Sequence, residues 1–489
     1  MRLIIEARLE DNQASSAATE AATIVAVVER QDRSVDGLGL TLAEGRALLA
    51  EVQSVLVSHQ AAGWMTDQLS CSRCGSALAH KDSRSIVMRT VFGKVEIQSP
   101  RLWTCSCGAK QGEHMRSVSR LSKAVPQRVT PELEYLQAKW AAHLPYRQAT
   151  ELLQEVLPLD KGISLGSTWR RILAVGHALD AQIERDIVSR PKPEQGDHVR
   201  ESISVGCVSV DSAWLSFSSS PRSRKAERDL AELKSPWTKK IIQERHVNIV
   251  AGRATFAGRT PRLYAYVHKQ VPSAAARLDQ FLHTSGVGPT ERVTVISDDA
   301  GEFEKAVQCS ELARGRILDW FHIAMKFKVA ENSVFGSATI EPLQRGSVTT
   351  EIEHAKWLVW HGKGRKSVAR IKALDASLMP RKGYEFSTLW WNLRRLYCYI
   401  DNNAVSTLVN YGARYHKGLP ISSSIAESAV NQVVSHRMAK KQQMRWTDEG
   451  AHCLAQVRVA VLNGEFSVKK LAELAKVPRA NLSHSRQAA

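Results

Sequence analysis

The stretch Ile203-Ser-Val-Gly-Cys-Val-Ser-Val-Asp211 is an apolar-rich run that ends in an acidic residue. A second stretch, Val293-Thr-Val-Ile-Ser-Asp298, has the same pattern further along the chain. Short apolar runs rich in β-branched residues predict strands, and runs without strict alternation predict strands that are buried on both faces. We therefore predict two central strands of one sheet, each with a carboxylate at its end.

A third acidic residue, Glu427, lies just inside a predicted helix that opens with the serines at positions 422–424. Two strand-end carboxylates and one helical carboxylate can converge on a pair of divalent cations. Such a pair activates water or a 3′ hydroxyl and stabilises the leaving oxygen of a phosphodiester. Mg²⁺ suits this role because it takes hard oxygen ligands and keeps water molecules that a substrate can displace, and Mn²⁺ is the alternative ion.

The composition indicates a large protein with a polyanionic partner. The chain has 489 residues, with 67 Lys and Arg against 49 Asp and Glu, and its net charge is +18. This length predicts several domains, and the charge indicates nucleic acid, although a basic balance can also serve solubility alone. The sequence has no signal-peptide pattern and no apolar run of membrane-spanning length, so we expect a cytoplasmic, nucleoid-associated protein.

Two cysteine pairs, Cys71-Ser-Arg-Cys74 and Cys105-Ser-Cys107, flank a predicted hairpin with a glycine turn at Gly93. Two cysteine knuckles joined by a hairpin are typical of a zinc ribbon, in which four thiolates hold a structural Zn²⁺ tetrahedrally. Because the intervening segment has few apolar residues, metal binding would stabilise its fold. The alternative is a set of buried free thiols, and His80 and His114 are further potential ligands. We expect the remaining cysteines in the apolar core: Cys207, Cys309, Cys398 and Cys453.

Hydrophobic periodicity divides the chain into helical and strand-forming regions. The helices between Pro131 and about Ala181 fit a helix-turn-helix module and an ordinary helical bundle equally well. A strand-forming region then gives way to a helical block rich in Trp and basic residues. The predicted strands are Ile203–Val210, Val247–Ala251, Leu263–Val267, Val293–Ser297 and Arg316–Phe321. Among the predicted helices, one starts at Thr41, one runs from Ser167 to Leu179 with Ser164 or Ser167 as its cap, and the final helical stretch runs from Ile425 to Leu462. The predicted domains are an N-terminal strand and helix (1–65), a zinc-ribbon-like domain (66–115), a helical DNA-binding domain (116–189), a linker (190–200), the first part of an α/β core (201–328), a helical insertion (329–421), the final core helices (422–465) and a C-terminal tail (466–489).

Several motifs support a more specific interpretation. They are, in order, Val208-Ser-Val-Asp211, Val295-Ile-Ser-Asp298, Asp319-Trp-Phe-His322, Ile425-Ala-Glu-Ser-Ala-Val-Asn431, Met444-Arg-Trp446 and Gly450-Ala-His-Cys-Leu-Ala-Gln-Val-Arg458. Together they resemble the transposases of the ISKra-type insertion sequences, which are similar to the Mutator-like DDE transposase superfamily. The resemblance implies a multidomain α+β protein. Its ribonuclease-H-like α/β catalytic core, with an all-helical insertion, would follow a zinc-ribbon-like segment and a helical DNA-binding region.

The resemblance also implies roles for individual residues. Asp211, Asp298 and Glu427 would form the catalytic triad and bind two Mg²⁺ (or Mn²⁺) ions. The family's Cys- or Asp-x-x-His signature is matched by Asp319 and His322. His322 would orient the attacking water or the scissile phosphate, or would only satisfy Asp319. The acidic residue directly after position 298 makes the second triad member ambiguous, but the Ser-Asp pattern of the family favours Asp298.

Basic and polar residues near these motifs are candidate DNA contacts. Contacts to phosphates set affinity and register rather than sequence preference. Trp391 or Trp446 can stack on an unpaired base, although core packing is at least as good an interpretation. The candidate DNA-binding residues are Arg394, Arg395, Asn431, Arg437, Lys440, Lys441 and Arg445.

The implied function is metal-dependent cleavage and transfer of DNA strands at the ends of an insertion sequence. The partners would be double-stranded DNA of the terminal inverted repeats and of the target, with no membrane. Pairing two element ends would require a homodimer or a larger homo-oligomer. Two alternatives stay open, a structure-selective nuclease on the same fold and a non-catalytic DNA-binding regulator derived from a transposase.

Overall fold

The computed structural model divides the chain into two compact units. The first unit comprises Met1–Val175 with Phe466–Ala489, and the second comprises Gly176–Glu465. The fold is mixed α+β, as predicted, with helices and sheets in both units. The residues that the structure describes are 1–9, 22–30, 38–109, 114–125, 128–191, 200–201, 207–216, 246–256, 259–271, 273–297, 301–403, 408–422, 429–438 and 444–476.

The first unit begins with two antiparallel strands, β1 (Arg2–Ala7) and β2 (Thr23–Glu29), of which the sequence analysis predicted only the first. Helix α1 (Leu42–Thr66) starts where predicted, after Thr41. The Thr41 hydroxyl accepts a hydrogen bond from the Glu44 amide, and the Glu44 carboxylate accepts one from the Thr41 amide. This reciprocal cap satisfies two backbone donors at the start of the helix and explains why the helix begins there.

A three-stranded antiparallel sheet contains the predicted hairpin. Strands β3 (His80–Thr90) and β4 (Gly93–Trp103) are its arms, and β5 (Ser117–Ser119) pairs with β4 as a third strand that was not predicted. The hairpin turn is formed by Val91 and Phe92, not by Gly93, because Gly93 already pairs with Thr90. Gly93 has a φ of +117°, a backbone conformation that favours glycine.

A small apolar cluster packs against this sheet. Short helices α2 (Ser106–Ala109) and α3 (Arg120–Ala124) lie on either side of β5 in the sequence. The buried residues of the cluster come from α1, β3, β4 and α3: Ala61, Ile86, Val95, Ile97 and Leu121. A core of this size leaves much of the folding free energy of the region to other interactions.

Three helices follow in the sequence and confirm the helical prediction for this region. They are α4 (Pro131–His143), α5 (Tyr146–Val156) and α6 (Leu165–Ser189). Ser164 precedes α6, and its hydroxyl accepts a hydrogen bond from the Ser167 amide at 3.3 Å, which agrees with its predicted capping role. Helix α6 extends beyond the predicted end at Leu179.

The second unit is built on a mixed sheet. Its strands are β6 (Arg200–Glu201), β7 (Cys207–Ser216), β8 (His246–Phe256), β9 (Arg259–Val267), β10 (Glu291–Ser297) and β11 (Ala313–Leu318). The order is β11-β10-β7-β8-β9, with β6 beside β10. Strands β7, β8 and β9 form an antiparallel meander, whereas β10 and β11 run parallel to β7. All five longer strands were predicted from their apolar runs.

One prediction about this sheet is wrong, because Asp211 does not end its strand. The antiparallel pairing of β7 with β8 continues past Asp211, which pairs with Ala251, to the end of β7. The parallel pairing with β10 stops earlier, where Val210 pairs with Ser297. Asp211 therefore follows the end of the β7–β10 pairing and lies inside β7.

Helices α7 (Ala274–Thr284) and α8 (Gly301–Gln308) pack with the sheet around an apolar core. The Phe281 ring of α7 stacks on the Tyr264 ring of β9 with centroids 4.4 Å apart. Other buried members of this core are Val208, Val210, Val250, Tyr266, Leu278, Leu282, Val293 and Val295. Val208 and Val210 fix β7 in this core, which explains the strength of its apolar signal.

The predicted helical block is confirmed. Its helices are α9 (Trp320–Phe335), α10 (Pro342–Trp360), α11 (Gly364–Leu378), α12 (Thr388–Asn403) and α13 (Tyr411–His416). They share one core, with fully buried side chains such as Phe327, Ile352 and Leu393. The prediction of a strand as far as Phe321 is wrong, because Asp319 caps α9 and brings Phe321 into the helix.

The stretch from Ile425 to Leu462, predicted to contain the final helices, has separate helical segments in its described residues. Residues 429–438 are helical and include a π-helical turn, Asn431–Ser435. Helix α14 (Asp448–Leu462) starts anew after Thr447, whose hydroxyl accepts a hydrogen bond from the Gly450 amide at 3.0 Å. A side-chain cap at Thr447 ends any helical continuity from the preceding residues.

The region predicted as a tail contains helix α15 (Val468–Lys476). This helix belongs to the first unit, where it packs on α4, and Phe466 stacks on Tyr135 with ring centroids 5.5 Å apart. Within the described parts of the chain, no helix combines the length and the apolar character needed to cross a membrane.

Candidate functional site

One edge of the second-unit sheet collects the segments that carry the predicted catalytic motifs. Strand β10 ends at Ser297, which pairs with Val210, the residue before Asp211. The backbone of Asp211 lies in β7, and Asp298 and Glu427 lie outside the described residues. The register therefore aligns the residues that directly precede the first two predicted triad members.

The Asp319–His322 pair lies at the same edge, directly after β11. The Asp319 amide donates a hydrogen bond to the Ser297 carbonyl oxygen at 3.0 Å. The Asp319 side chain is fully buried, and its Oδ1 accepts the Phe321 amide at 2.8 Å. Its Oδ2 lies 2.8 Å from Nδ1 of His322, whose side chain is 40% exposed. A buried carboxylate that accepts from Nδ1 fixes the orientation and tautomer of the ring, so chemistry on a substrate would use Nε2.

The segment that leads toward Glu427 is anchored beside this pair. The Trp320 amide donates a hydrogen bond to the Ile421 carbonyl oxygen at 3.0 Å. The Trp320 ring also packs against Tyr411, with centroids 5.1 Å apart, and the Tyr411 hydroxyl donates to the Leu318 carbonyl oxygen at 2.8 Å. Burial raises the pKa of the Tyr411 hydroxyl well above its usual range, so this donor stays protonated. These contacts join the end of β11 and the start of α9 to the segment that precedes Glu427.

The predicted DNA-binding residues around positions 431 to 445 differ in exposure. Asn431 begins the π-helical turn and is exposed, and Arg445 is also exposed. Arg437 is only 2% exposed and its guanidinium lies 5.7 Å from the ring of Trp446, which is itself buried. Arg437 and Trp446 therefore pack in the interior of the described structure, whereas Asn431 and Arg445 face solvent. Lys440 and Lys441 lie outside the described residues.

The two predicted arginines of α12 also differ. The Arg394 guanidinium lies 4.3 Å from the Trp390 ring centre, and its Nε lies 3.5 Å from Oδ2 of the buried Asp375. Arg395 is exposed and lies 5.8 Å from the ring of Trp391, which is 46% exposed. Arg395 and Trp391 therefore form the solvent-facing cation and aromatic pair of this helix, while Arg394 is held by packing and charge.

The predicted cysteine cluster is present in the first unit. The sulfur atoms of Cys71, Cys74, Cys105 and Cys107 all lie within 4.8 Å of one another. Cys71 and Cys107 are 3.7 Å apart, and Cys74 and Cys105 are 3.5 Å apart. A tetrahedral zinc site with Zn–S bonds of about 2.3 Å requires sulfur separations of about 3.8 Å. The four cysteines can therefore hold a metal ion such as zinc.

The electrostatics of the cluster favour a cation. Backbone amides of Arg73 and Cys74 lower the pKa of Cys71. Hydrogen bonds from Ser76 lower the pKa of Cys74 to about 6. Hydrogen bonding with the neighbouring thiols, first Cys105, raises the pKa of Cys107 to about 12. Cys74 therefore forms a thiolate readily, and a divalent cation would displace the protons that the remaining thiols keep.

The potential substitute ligand His80 is not part of the cluster. Its Nε2 lies 3.1 Å from the Ser83 hydroxyl. The prediction that the other cysteines are core residues is correct for Cys453, which is buried, but wrong for Cys309 and Cys398, which are exposed. Cys309 directly follows α8, and Cys398 lies on the exposed face of α12. An apolar periodicity identifies a buried face but does not fix which thiol faces it.

A scan against protein-family models found no model that matches, and a search of curated proteins found no matching protein.

Proposed function

We propose that the chain is a DDE transposase, which binds insertion-sequence ends and catalyses metal-dependent cleavage and transfer of DNA strands. The observation that carries the proposal is the pairing of Val210 with Ser297. Asp211 and Asp298 each come directly after one member of this pair in the sequence. Two carboxylates that directly follow paired positions of neighbouring parallel strands come from adjacent points of one sheet and are well arranged to share a substrate.

The strand order supports a ribonuclease-H-like core. An antiparallel meander, β7-β8-β9, is extended on the β7 side by the parallel strands β10 and β11. This mixed arrangement is the one that the resemblance to DDE transposases implies. Because a fold by itself does not determine a function, the proposal depends on the residues at the sheet edge.

The position of Glu427 in the chain supports a location of its segment at the same sheet edge. Ile421 is hydrogen-bonded to Trp320, which follows Asp319, and Asp319 is hydrogen-bonded to Ser297. The chain therefore enters the segment that contains Glu427 from the edge where β10 ends. This continuity supports Glu427 as the third member of the triad.

The donor set suits two different kinds of metal ion. Asp211, Asp298 and Glu427 offer hard carboxylate oxygens, which Mg²⁺ or Mn²⁺ prefers. When bound there, two such ions would supply activation of the nucleophile and stabilisation of the leaving oxygen. His322, held by Asp319, would orient the attacking water or the scissile phosphate. The four cysteines offer soft thiolates and would hold a structural zinc ion.

A cleavage assay with the purified full chain tests the proposal. The substrates are labelled DNA duplexes that cover the sequence on each side of the coding region, incubated with Mg²⁺. We expect a nick at a defined position on each side and joining of the new 3′ end to a second duplex. Asp298→Asn and Glu427→Gln should abolish both products. Asp299→Asn is the matched control and should retain them.

Each other outcome is informative. Full activity of Asp298→Asn, or loss of activity in Asp299→Asn alone, would overturn the assignment of the second aspartate. Cleavage without joining would favour the nuclease. Binding of these duplexes without cleavage in Mg²⁺ or Mn²⁺ would overturn the proposed enzyme and favour a regulator.

A further inference from the structure

A basic groove lies beside the four cysteines of the first unit and is not part of the proposed active site. Its volume is about 610 Å³. One wall comes from the first cysteine knuckle, with Arg73, and another from Thr104, which precedes the second knuckle. The rest includes the end of α1 with Trp64, strand β5 and helix α3. Four cationic side chains line the groove, Arg73, Arg116, Arg120 and Lys123, and among the described residues no acidic side chain lines it.

Three cations of this groove differ from the paired cations of the neighbouring hairpin. On the neighbouring hairpin, Arg101 pairs with Asp82, and Lys94 lies 2.8 Å from Glu96. Among the described residues, none of the carboxylates lies within 4.0 Å of Arg116, Arg120 or Lys123. Three of the four cations that line the groove therefore have no described carboxylate at ion-pair distance.

The groove has the chemistry of a phosphate-backbone site. Arg116 and Lys123 are exposed, and Arg120 is held in place by a 3.4 Å hydrogen bond to Gln68. Like charges brought together without an anion repel one another, and a polyanion that enters the groove removes this repulsion. Guanidinium and ammonium groups bind phosphate oxygens through charge-assisted hydrogen bonds. The exposed Trp64, 37% accessible, adds an apolar wall that sugar atoms can contact.

The cysteine cluster sets the shape of the groove. Arg73 lies between Cys71 and Cys74, and Thr104 directly precedes Cys105. The Thr104 amide donates to the Arg116 carbonyl oxygen at 2.9 Å, and the Arg116 amide donates to the Thr104 hydroxyl at 3.1 Å. An ion held by the four thiolates would therefore fix the positions of both knuckle walls and, through Thr104, of Arg116.

We propose that this groove binds the phosphate backbone of double-stranded DNA and that metal binding at the cysteines preorganises it. The choice of DNA among polyanions rests on the proposed function. The groove lies in the first unit, and its contribution is affinity and register on the DNA rather than catalysis.

A salt titration of DNA binding by the full chain tests the groove. The probe is a mixed-sequence, fluorescently labelled DNA duplex. Each phosphate contact adds about 0.9 to the slope of log K against log salt concentration. The double variant Arg116→Ala/Lys123→Ala should therefore lower the slope by up to about 1.8 and weaken binding on the order of tenfold at low salt.

The matched control is Arg84→Ala/Lys161→Ala, which removes the same charge from exposed positions of the first unit outside the groove. It should keep the wild-type slope, and its affinity should stay within about twofold of wild type. Equal losses in both double variants would mean a general charge effect and would overturn the proposal. Unchanged zinc content in both variants shows that the cysteine domain is folded.

Further measurements distinguish the ways in which the proposal can fail. If chelation of zinc leaves the salt slope unchanged, the proposed role of the metal is overturned. If the groove variant loses binding of a mixed-sequence RNA but not of the DNA duplex, the groove is an RNA site and the proposal is overturned. Normal DNA cleavage with unchanged binding by the groove variant would reject the groove alone. Lost binding in a chain that never cleaves DNA would support the groove and reject the transposase.

Discussion

A single buried carboxylate, Asp319, has two roles at the residue scale. One oxygen caps helix α9 and the other holds His322. We expect Asp319→Asn to keep the fold, because asparagine is about as good a helix cap as aspartate. It should lower the DNA cleavage rate by about 10- to 100-fold and change its pH profile, because the amide no longer fixes the His322 tautomer. Single-turnover cleavage across pH measures both effects.

A second variant separates a positioning role of Asp319 from a structural one. His322→Gln should lose at least as much activity as Asp319→Asn, and the double variant should lose no more than His322→Gln, because the two residues act as a unit. An Asp319→Asn variant with wild-type rate and pH profile would leave the carboxylate with its capping role alone.

Gly176 is the residue that allows close packing of α6 on α14. A Cβ at position 176 would lie 2.5 Å from Cβ and 2.6 Å from Cα of Cys453, so the backbone itself would have to move. We expect Gly176→Ala to lower the free energy of unfolding by about 1–3 kcal/mol. Gly166→Ala, in the same helix, meets no atom closer than 4.0 Å and should be neutral or stabilising by up to about 1 kcal/mol. Thermal and urea unfolding compare the two, and equal effects would contradict the close-packing argument.

At the scale of the elements, long periodic segments were predictable and short paired ones were not. The apolar runs of β7 and β10 and the cap at Thr41 are local signals, and the structure confirms the elements they predict. Strand β5 has a single apolar residue, Val118, and depends on its backbone pairing with β4. That pairing is distant in sequence, so no local pattern indicates it. The start of α9 at Trp320 depends likewise on a side-chain cap, which Asp319 supplies.

The candidate sites also differ in how far local sequence patterns predict them. The cysteine cluster was predictable because pairs of ligands are close in sequence and their spacing is specific. The Asp319–His322 contact was predictable as a pair because it spans three residues on one helix start. The basic groove was not, since Arg73, Arg116 and Lys123 come from three separate elements and form no sequence pattern. The interior position of Asp211 in β7 depends on the different lengths of its two neighbouring strands.

The zinc-ribbon-like sheet should depend on metal. Its apolar cluster is small, so we expect one zinc per chain and, after chelation, faster amide exchange throughout β3, β4 and β5. Cys105→Ser should lower zinc content and reproduce the loss of protection. Cys398→Ser, at an exposed cysteine outside the cluster, should change neither quantity. Full protection of the three strands in metal-free protein would contradict this prediction.

An ion pair between α6 and α14 should make stability depend on pH. His177 Nε2 lies 2.8 Å from Glu449 Oε1, and this hydrogen bond raises the pKa of His177 above 6.5, with Asp180 a smaller contributor. The stabilisation is fully present below about pH 6.5 and is lost as pH rises through the raised pKa of His177. His177→Gln should therefore reduce the fall in melting temperature between neutral and mildly alkaline pH. An identical pH dependence in the variant and wild type would rule out this pair as its source.

At the scale of the whole molecule, the chain combines sites with separate chemistry. The first unit carries the thiolate cluster and the basic groove, and the second carries the sheet edge with the predicted catalytic motifs. Variants in the groove of the first unit should therefore weaken DNA binding and leave the catalytic residues intact. Variants at the sheet edge of the second unit should abolish cleavage and leave DNA binding intact. The net charge of +18 favours association with polyanions in general. Under the proposed function, the groove would set where DNA is bound and the sheet edge would set where it is cut.

The first unit is completed by the last part of the chain, and this leads to a prediction about truncation. Phe466 stacks on Tyr135 of α4, and Leu471 and Leu474 of α15 are buried. Removing residues 466–489 would expose their apolar partners and should lower the stability of the first unit on the order of 5 kcal/mol. Amide exchange should then increase in α4, while β7 and β10 of the second unit keep their protection. Truncation after Lys476 is the control, because it retains all three apolar side chains and should preserve protection of α4. Equal protection of α4 in both truncated chains would show that α15 contributes nothing to this core.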